Sequence, residues 1–157
     1  MSFVSISEAK LHLRVDNTDE DVMIGIYISA AEQSAVMAMD RGVYFDDAAL
    51  QAAIAAAPDA LSAATTAYTA AVAAAGEMAD ATEKNAALRA AEMAYMRAQV
   101  AHRQTFDGIV ANDQIKAAVL LTVGHLYANR EDVVVGVSVS ALPAGVDCLL
   151  QPFKVYA

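Results

Sequence analysis

The residues with the widest chemical repertoire are few and scattered. Three histidines, His12, His102 and His125, lie far apart. No pair has the i, i+4 spacing that would set two imidazoles on one helix face to hold zinc. His125 sits in an otherwise apolar stretch and reads as a satisfied core or interface histidine. His12 and His102 read as surface or packing residues. The densest acidic cluster is Asp19-Glu20-Asp21. Clustered carboxylates bind divalent cations when a loop folds them around one, but the EF-hand pattern fails for want of its glycine and distal glutamate. The preferred reading is the first turn of a helix, where acids complement the macrodipole. Gly136-Val137-Ser138-Val139 opens like a nucleophile elbow, yet Ser140 stands where the closing glycine is needed. No Gly-rich phosphate loop is present. Cys148 is the single cysteine, which excludes an intrachain disulfide and a cysteine-based zinc site. It is expected to face the core from a short final helix. Arg130 and Glu131 read either as an interface ion pair or as a solvated helix end. No catalytic, metal-binding or cofactor-binding constellation emerges, so the chain is read as a non-enzyme.

Composition narrows the classes further. The chain has 157 residues, 57% of them hydrophobic and 18% charged. Much of the apolar content is alanine, which supplies 25 of the 54 residues from Ala48 to Ala101. Alanine buries little but has the best helix propensity. Helices packed closely through small side chains are therefore expected, not a membrane protein. The nearest candidate span, Ile115 to Tyr127, is too short and is broken by Lys116 and His125. Met1 to Glu8 lacks the basic-then-apolar layout of a signal peptide, and a cytoplasmic origin is expected. A net charge of −9 disfavours general nucleic-acid binding, which needs clustered Lys and Arg.

The elements that would position these residues are mostly helical. Ser5 and Glu8 have capping-box spacing, which predicts a helix to about Arg14. Asn17 with Glu20, or Thr18 with Asp21, offers a second box for a helix running to about Arg41, with Gly42 as its stop. In that helix Met23, Tyr27, Ala30, Ser34 and Met37 recur at spacings of four and three. Val22, Ile24, Ile26 and Ile28 add apolar surface on other faces, which fits subunit contacts. Pro58 predicts a break, with Asp59 capping the next helix. Gly76 and Asp80 to Thr82 mark another break before a long helix from Glu83 to about Thr105. Leu61, Thr65, Tyr68, Val72 and Ala75 form one heptad-like seam, and Leu88, Ala91, Tyr95, Ala98 and His102 form another. The two predict an antiparallel hairpin with arms of about 24 Å and 35 Å. Asn112 or Asp113 caps a core helix to about Asn129. Val133 to Val139 favours a strand. Leu142-Pro143 starts a short last helix that Pro152 ends. The expected fold is mainly α in a single domain. A helical bundle core, from 1–42 and 112–157, carries an alanine-rich antiparallel hairpin inserted at 43–111 and a short β segment near the C-terminus.

Three stretches of the chain resemble the head–tail connector (adaptor) family of long-tailed bacteriophages. The first is Ser7-Glu8-Ala9-Lys10, His12-Leu13-Arg14-Val15-Asp16 and Asp19-Glu20-Asp21. The second runs from Ile115-Lys116-Ala117-Ala118-Val119-Leu120-Leu121 into Val123-Gly124-His125-Leu126-Tyr127-Ala128-Asn129-Arg130-Glu131, and it is the most specific. The third is Leu142-Pro143-Ala144-Gly145-Val146, Leu149-Leu150 and Pro152-Phe153-Lys154. Leu126 and Ala128 depart from the family pattern, where Trp and Glu are common, and the middle from Ala48 to Phe106 resembles only a subset. The resemblance implies a structural virion protein at the neck, made in the host cytoplasm. It implies a ring of about twelve copies, closed by a heterologous interface, below the portal protein. The ring would extend the DNA channel and receive a stopper or tail-completion protein. DNA would pass without specific binding, a task that suits an acidic wall, and no membrane or cofactor is implied. Charged residues in the matched blocks need partners, which makes Arg14, Arg130 and Glu131 candidates for subunit contacts. Lys154 and Tyr156 are candidates for reaching the portal. The alternatives are another neck protein such as a stopper, usually richer in strands, and a cytoplasmic regulator that grips a partner helix with its hairpin.

Overall fold

The computed structural model describes residues 2–129 and 145–156. The chain divides into two compact units, one from residues 1–46 and 109–157 and the other from 47–108. The first unit begins with α1, Ile6–Leu13, which carries the anticipated capping box. The Glu8 N–H donates to Ser5 Oγ at 3.2 Å, and the Ser5 N–H donates to Glu8 Oε2 at 2.7 Å. Arg14 ends the helix in the left-handed region at φ 58°, while the Val15 N–H returns to the Lys10 carbonyl at 3.0 Å. This pairing is a Schellman closure, a site that usually takes glycine.

Helix α2, Asp21–Met39, follows. Neither anticipated capping box forms at its start. Glu20 is the N-cap but makes no side-chain cap bond, because its carboxylate accepts from the Tyr127 hydroxyl. Asp21 is held by Lys10 instead, at 2.7 Å. The helix ends at Met39, before the expected Gly42, with Asp40 in the left-handed region that aspartate tolerates. The buried stripe is Ile24, Ile28, Ala31, Ala35 and Met39, displaced from the anticipated Met23-to-Met37 stripe. A helix apolar on all sides gives periodicity nothing to choose between. Among the described residues α2, not Ile115 to Tyr127, is the helix long and apolar enough to cross a membrane, with mean hydropathy 1.4. Here its inner face packs on α5, Asp113–Ala128.

Asn112 caps α5 as expected, its Oδ1 accepting from the Ile115 N–H at 2.9 Å. Ile115, Ala118, Val119 and Val123 enter the core beside the α2 stripe, Ala9, Phe3 and Val4. The apolar centre of α5 is not buried all round, for Leu121 is 41% exposed. Helix α6, Val146–Leu150, adds Leu150 to the core, and Gln151–Phe153 forms a 3-10 turn that contains Pro152. Cys148 is exposed on α6, not core-facing as anticipated, since Leu150 takes the inward position. Two strands that the sequence reading missed, β1 (Val43–Tyr44) and β2 (Ile109–Val110), pair in parallel, Val43 with Ile109. Two residues each are too few to show alternation. The expected strand at Val133 to Val139 and the helix start at Leu142-Pro143 lie outside the described residues.

The second unit is the anticipated antiparallel hairpin. Helix α3, Asp47–Gly76, is followed by α4, Ala81–Phe106, and Asp80 caps α4 by accepting from the Thr82 and Glu83 N–H groups at 2.8 and 2.9 Å. At 1.5 Å per residue the arms are about 45 Å and 39 Å long. The first is longer than expected because Pro58 does not break it. Proline there removes the N–H that would reach the Ile54 carbonyl, and it costs roughly 3 kcal/mol locally. The alanine-rich turns on both sides carry the helix through. The α4 seam is the predicted one. On α3, Ala64 and Ala71 face the partner helix, while the predicted Thr65 is exposed and Val72 is 37% exposed. Small alanines give the closer approach, and Tyr68 stacks on Tyr95 with centroids 5.2 Å apart.

Parallel strands need a long crossover between them, typically a dozen residues or more. Replacing residues 48–106 with a flexible linker of about that length should leave a helical chain with a cooperative thermal transition. A two-residue linker should lose cooperativity because it breaks the Val43–Ile109 pairing. Circular dichroism melts of both deletions check this, and non-cooperative unfolding of the long-linker form would show the hairpin to be integral.

Candidate interface surface

Several charged residues of the resembling stretches are engaged inside the first unit. The Glu8 carboxylate has two tasks. Its Oε2 accepts from Ser5, backbone and hydroxyl both at 2.7 Å, and its Oε1 accepts from Lys116 Nζ at 3.0 Å. The Ser5 bonds first, then Lys116, hold its pKa down from the ordinary 4.5 to about 2. Lys10 ties α1 to Asp21 on α2, and Tyr127 on α5 donates to Glu20. A Cβ placed on Gly124 would meet His12 Nε2 at 3.2 Å, so the glycine leaves room for that ring. The first and second resemblance blocks therefore interlock at Glu8 with Lys116, His12 with Gly124, and Glu20 with Tyr127. Asp19-Glu20-Asp21 is dispersed, since Glu20 and Asp21 serve different partners. His125 is exposed, not buried as a core histidine, and Asn129 donates to its carbonyl at 2.9 Å.

The predicted contact residues are not brought together. Arg14 is exposed at the end of α1, and its side chain has no polar partner among the described residues. Lys154 makes a 3.6 Å ion pair with Asp147, and Tyr156 is 79% exposed. The Val155 N–H donates to the Met39 carbonyl at 2.9 Å, anchoring the C-terminal segment to the end of α2. Arg130 and Glu131 lie outside the described residues.

Sequence reasoning missed an open groove of about 770 Å³ between the N-terminal segment and α2. Phe3, Ile28, Val36 and Phe45 line it, and a Cβ on Gly25 would meet nothing within 4 Å. Glu32 organises its rim. Its Oε1 accepts from Ser2 Oγ, the Phe3 N–H and the Val4 N–H at 2.8, 2.8 and 2.9 Å, which satisfies backbone donors where Phe3 and Val4 dive into the core. The signal was present in the sequence, because Asp21 and Glu32 are the only charged residues in α2. Outside the groove α2 also exposes Val22 (81%) and Ile26 (56%), and Met37 at the groove edge is 79% exposed. Among the described residues no group of three or more His, Cys, Asp or Glu is arranged to hold a metal.

Residues 3–44 match the family model described as phage gp6-like head-tail connector protein. The match supports assignment to the head–tail connector family and covers α1, α2 and β1. It takes in the first of the three resembling stretches, while the second and third lie outside it. No match is found among curated proteins or solved structures.

Two predictions follow from this geometry. A carboxylate with a depressed pKa stabilises the fold fully above about pH 4.5 and loses that contribution as pH falls toward about 2. The difference in melting temperature between the native chain and Glu8→Gln should be largest above pH 5 and close as pH approaches 2. A gap that is constant with pH would contradict the Glu8 account. Arg14→Gly relieves a left-handed non-glycine residue and should raise stability by up to about 1 kcal/mol. Denaturant unfolding measures this, and a loss of stability would show that the arginine side chain holds the fold.

Proposed function

We propose that this chain is a ring-forming head–tail connector of a tailed bacteriophage. In this reading it docks below the portal, lengthens the DNA channel and joins the capsid to the neck and tail. Its role is structural, as in the connector family that residues 3–44 match. That match carries the proposal, and it falls on a segment with much uncovered apolar surface. Val22, Ile26 and Met37 stand out from α2 beside an apolar groove. A helix this apolar, with only one face buried, calls for covering partners. Neighbouring copies cover it in a closed ring, whose interface is heterologous. Arg14, Arg130 and Glu131 are proposed to flank subunit contacts, and Lys154 and Tyr156 to face the portal. A net charge of −9 suits a channel wall that duplex DNA slides past.

Native mass spectrometry and negative-stain imaging test this on the purified chain, alone and mixed with assembled portal rings. A cyclic assembly of about twelve copies is expected, with closure as the symmetry rule requires. Ile26→Asp with Met37→Asp should leave the far-ultraviolet circular dichroism unchanged and abolish assembly. A chain that stays monomeric in both settings overturns the proposal. Tight, salt-sensitive retardation of duplex DNA would point to a regulator instead.

A further inference from the structure

The hairpin carries two outward faces that fit each other but sit on opposite edges of the same unit. On α4, Met93, Met96 and Val100 are 55%, 57% and 44% exposed. On α3, Thr65, Thr66, Thr69, Ala70 and Ala73 line a shallow depression with small side chains. At 100° per residue, both faces lie roughly 150° around their helices from the α3–α4 seam. Neither can reach the other within one chain.

Height matches as well. The Tyr68–Tyr95 stack fixes the register of the two arms. Counting from it, Met93 runs level with Ala70 and Met96 with Ala67. The protruding methionines thus stand at the height of the depression. Charge agrees with shape. Helix α3 carries Asp47 and Asp59 and no base, whereas α4 carries Lys84, Arg89, Arg97 and Arg103 against Glu83 and Glu92. Arg103, which pairs with Asp107 at 3.7 Å, lies about level with Asp59 in the same register. Because α3 and α4 run antiparallel, the two faces also tilt toward the same side of the hairpin. Repeated side by side, such units curve in one direction.

We infer that the occupant of each face is a second copy of this chain: Met93 and Met96 of one copy seat in the Thr65–Ala73 depression of the next, with Val100 at its edge. The contact is heterologous and repeats until it closes. It gives the alanine-rich hairpin the task of a second contact layer in the ring. It rests on the ring-forming reading but adds a surface outside the family-matched segment. Alanine and threonine form the hole because only small side chains leave space for unbranched methionine, which adapts to irregular gaps.

Cross-linking of the full-length chain tests the inference. In a Cys148→Ser background, Thr69→Cys with Met93→Cys should yield, under mild oxidation, a ladder of disulfide-linked oligomers on a non-reducing gel. Each single cysteine variant should give no ladder. Met93→Glu with Met96→Glu, at exposed positions, should keep the native circular dichroism and weaken assembly by more than about tenfold. Rings that form normally with both glutamates present, or that give no ladder with the double cysteine, overturn this contact and leave the connector reading standing. Efficient dimers from Thr69→Cys alone would reveal a two-fold contact and overturn it too. If the native chain forms no ring with or without portal and the double cysteine gives no ladder, both readings fall.

Discussion

One face of α2 against α5 is the contact on which the first unit depends. Ile24, Ile28, Ala31, Ala35 and Met39 meet Ile115, Ala118, Val119 and Val123, and the smaller elements close around that seam. Phe3 and Val4 enter it because Glu32 takes up their backbone donors. Helix α1 is secured to both partners by polar ties, through Lys10 to α2 and through Glu8 to α5. Such half-exposed pairs contribute little each, commonly under about 1 kcal/mol. They choose the orientation of α1 more than they stabilise the unit. The apolar seam supplies the stability, and its one-sidedness leaves the remaining apolar surface of α2 for other work.

Much of the helical layout was legible because its signals are local. The Ser5–Glu8 box, the Asn112 cap and the α4 seam each need only a few neighbouring residues to be read. What was not legible depends on long-range choice. Which face of α2 turns inward is decided by α5, more than seventy residues away in sequence, and hydropathy around α2 is too even to reveal it. The same evenness on α3 hid the exchange of Thr65 and Val72 for Ala64 and Ala71. Pro58 was misjudged because proline's local cost was weighed without the long alanine flanks that outvote it. The β1–β2 pair is two residues on each side and has no periodicity to detect.

The candidate surface divides in the same way. Arg14, Arg130 and Glu131 were read as contacts because charged residues in the resembling blocks need partners, and other charged residues of those blocks, Glu8, Lys10, Glu20, Asp21 and Lys116, find theirs within the unit. A block of similar residues can mark a shared fold as readily as a shared partner. The groove beside Glu32 escaped notice because it is built by a turn in the N-terminal segment. Glu32, one of two acids in an otherwise apolar helix, was its one trace.

The discontinuity of the first unit has a consequence during biosynthesis. Its N-terminal part ends at Asp46, and the strand and helix that complete it begin at Ile109. About 60 residues of hairpin emerge from the ribosome in between. At roughly 5–20 residues per second, α2 waits about 3–12 seconds for α5, the main partner of its inner face. Contacts within the hairpin, such as Tyr68 on Tyr95, span fewer residues than the seam between α2 and α5, and a hairpin formed in that interval shortens the loop that remains to be closed. The insertion thus serves the nascent chain as a spacer that folds ahead of the unit it interrupts.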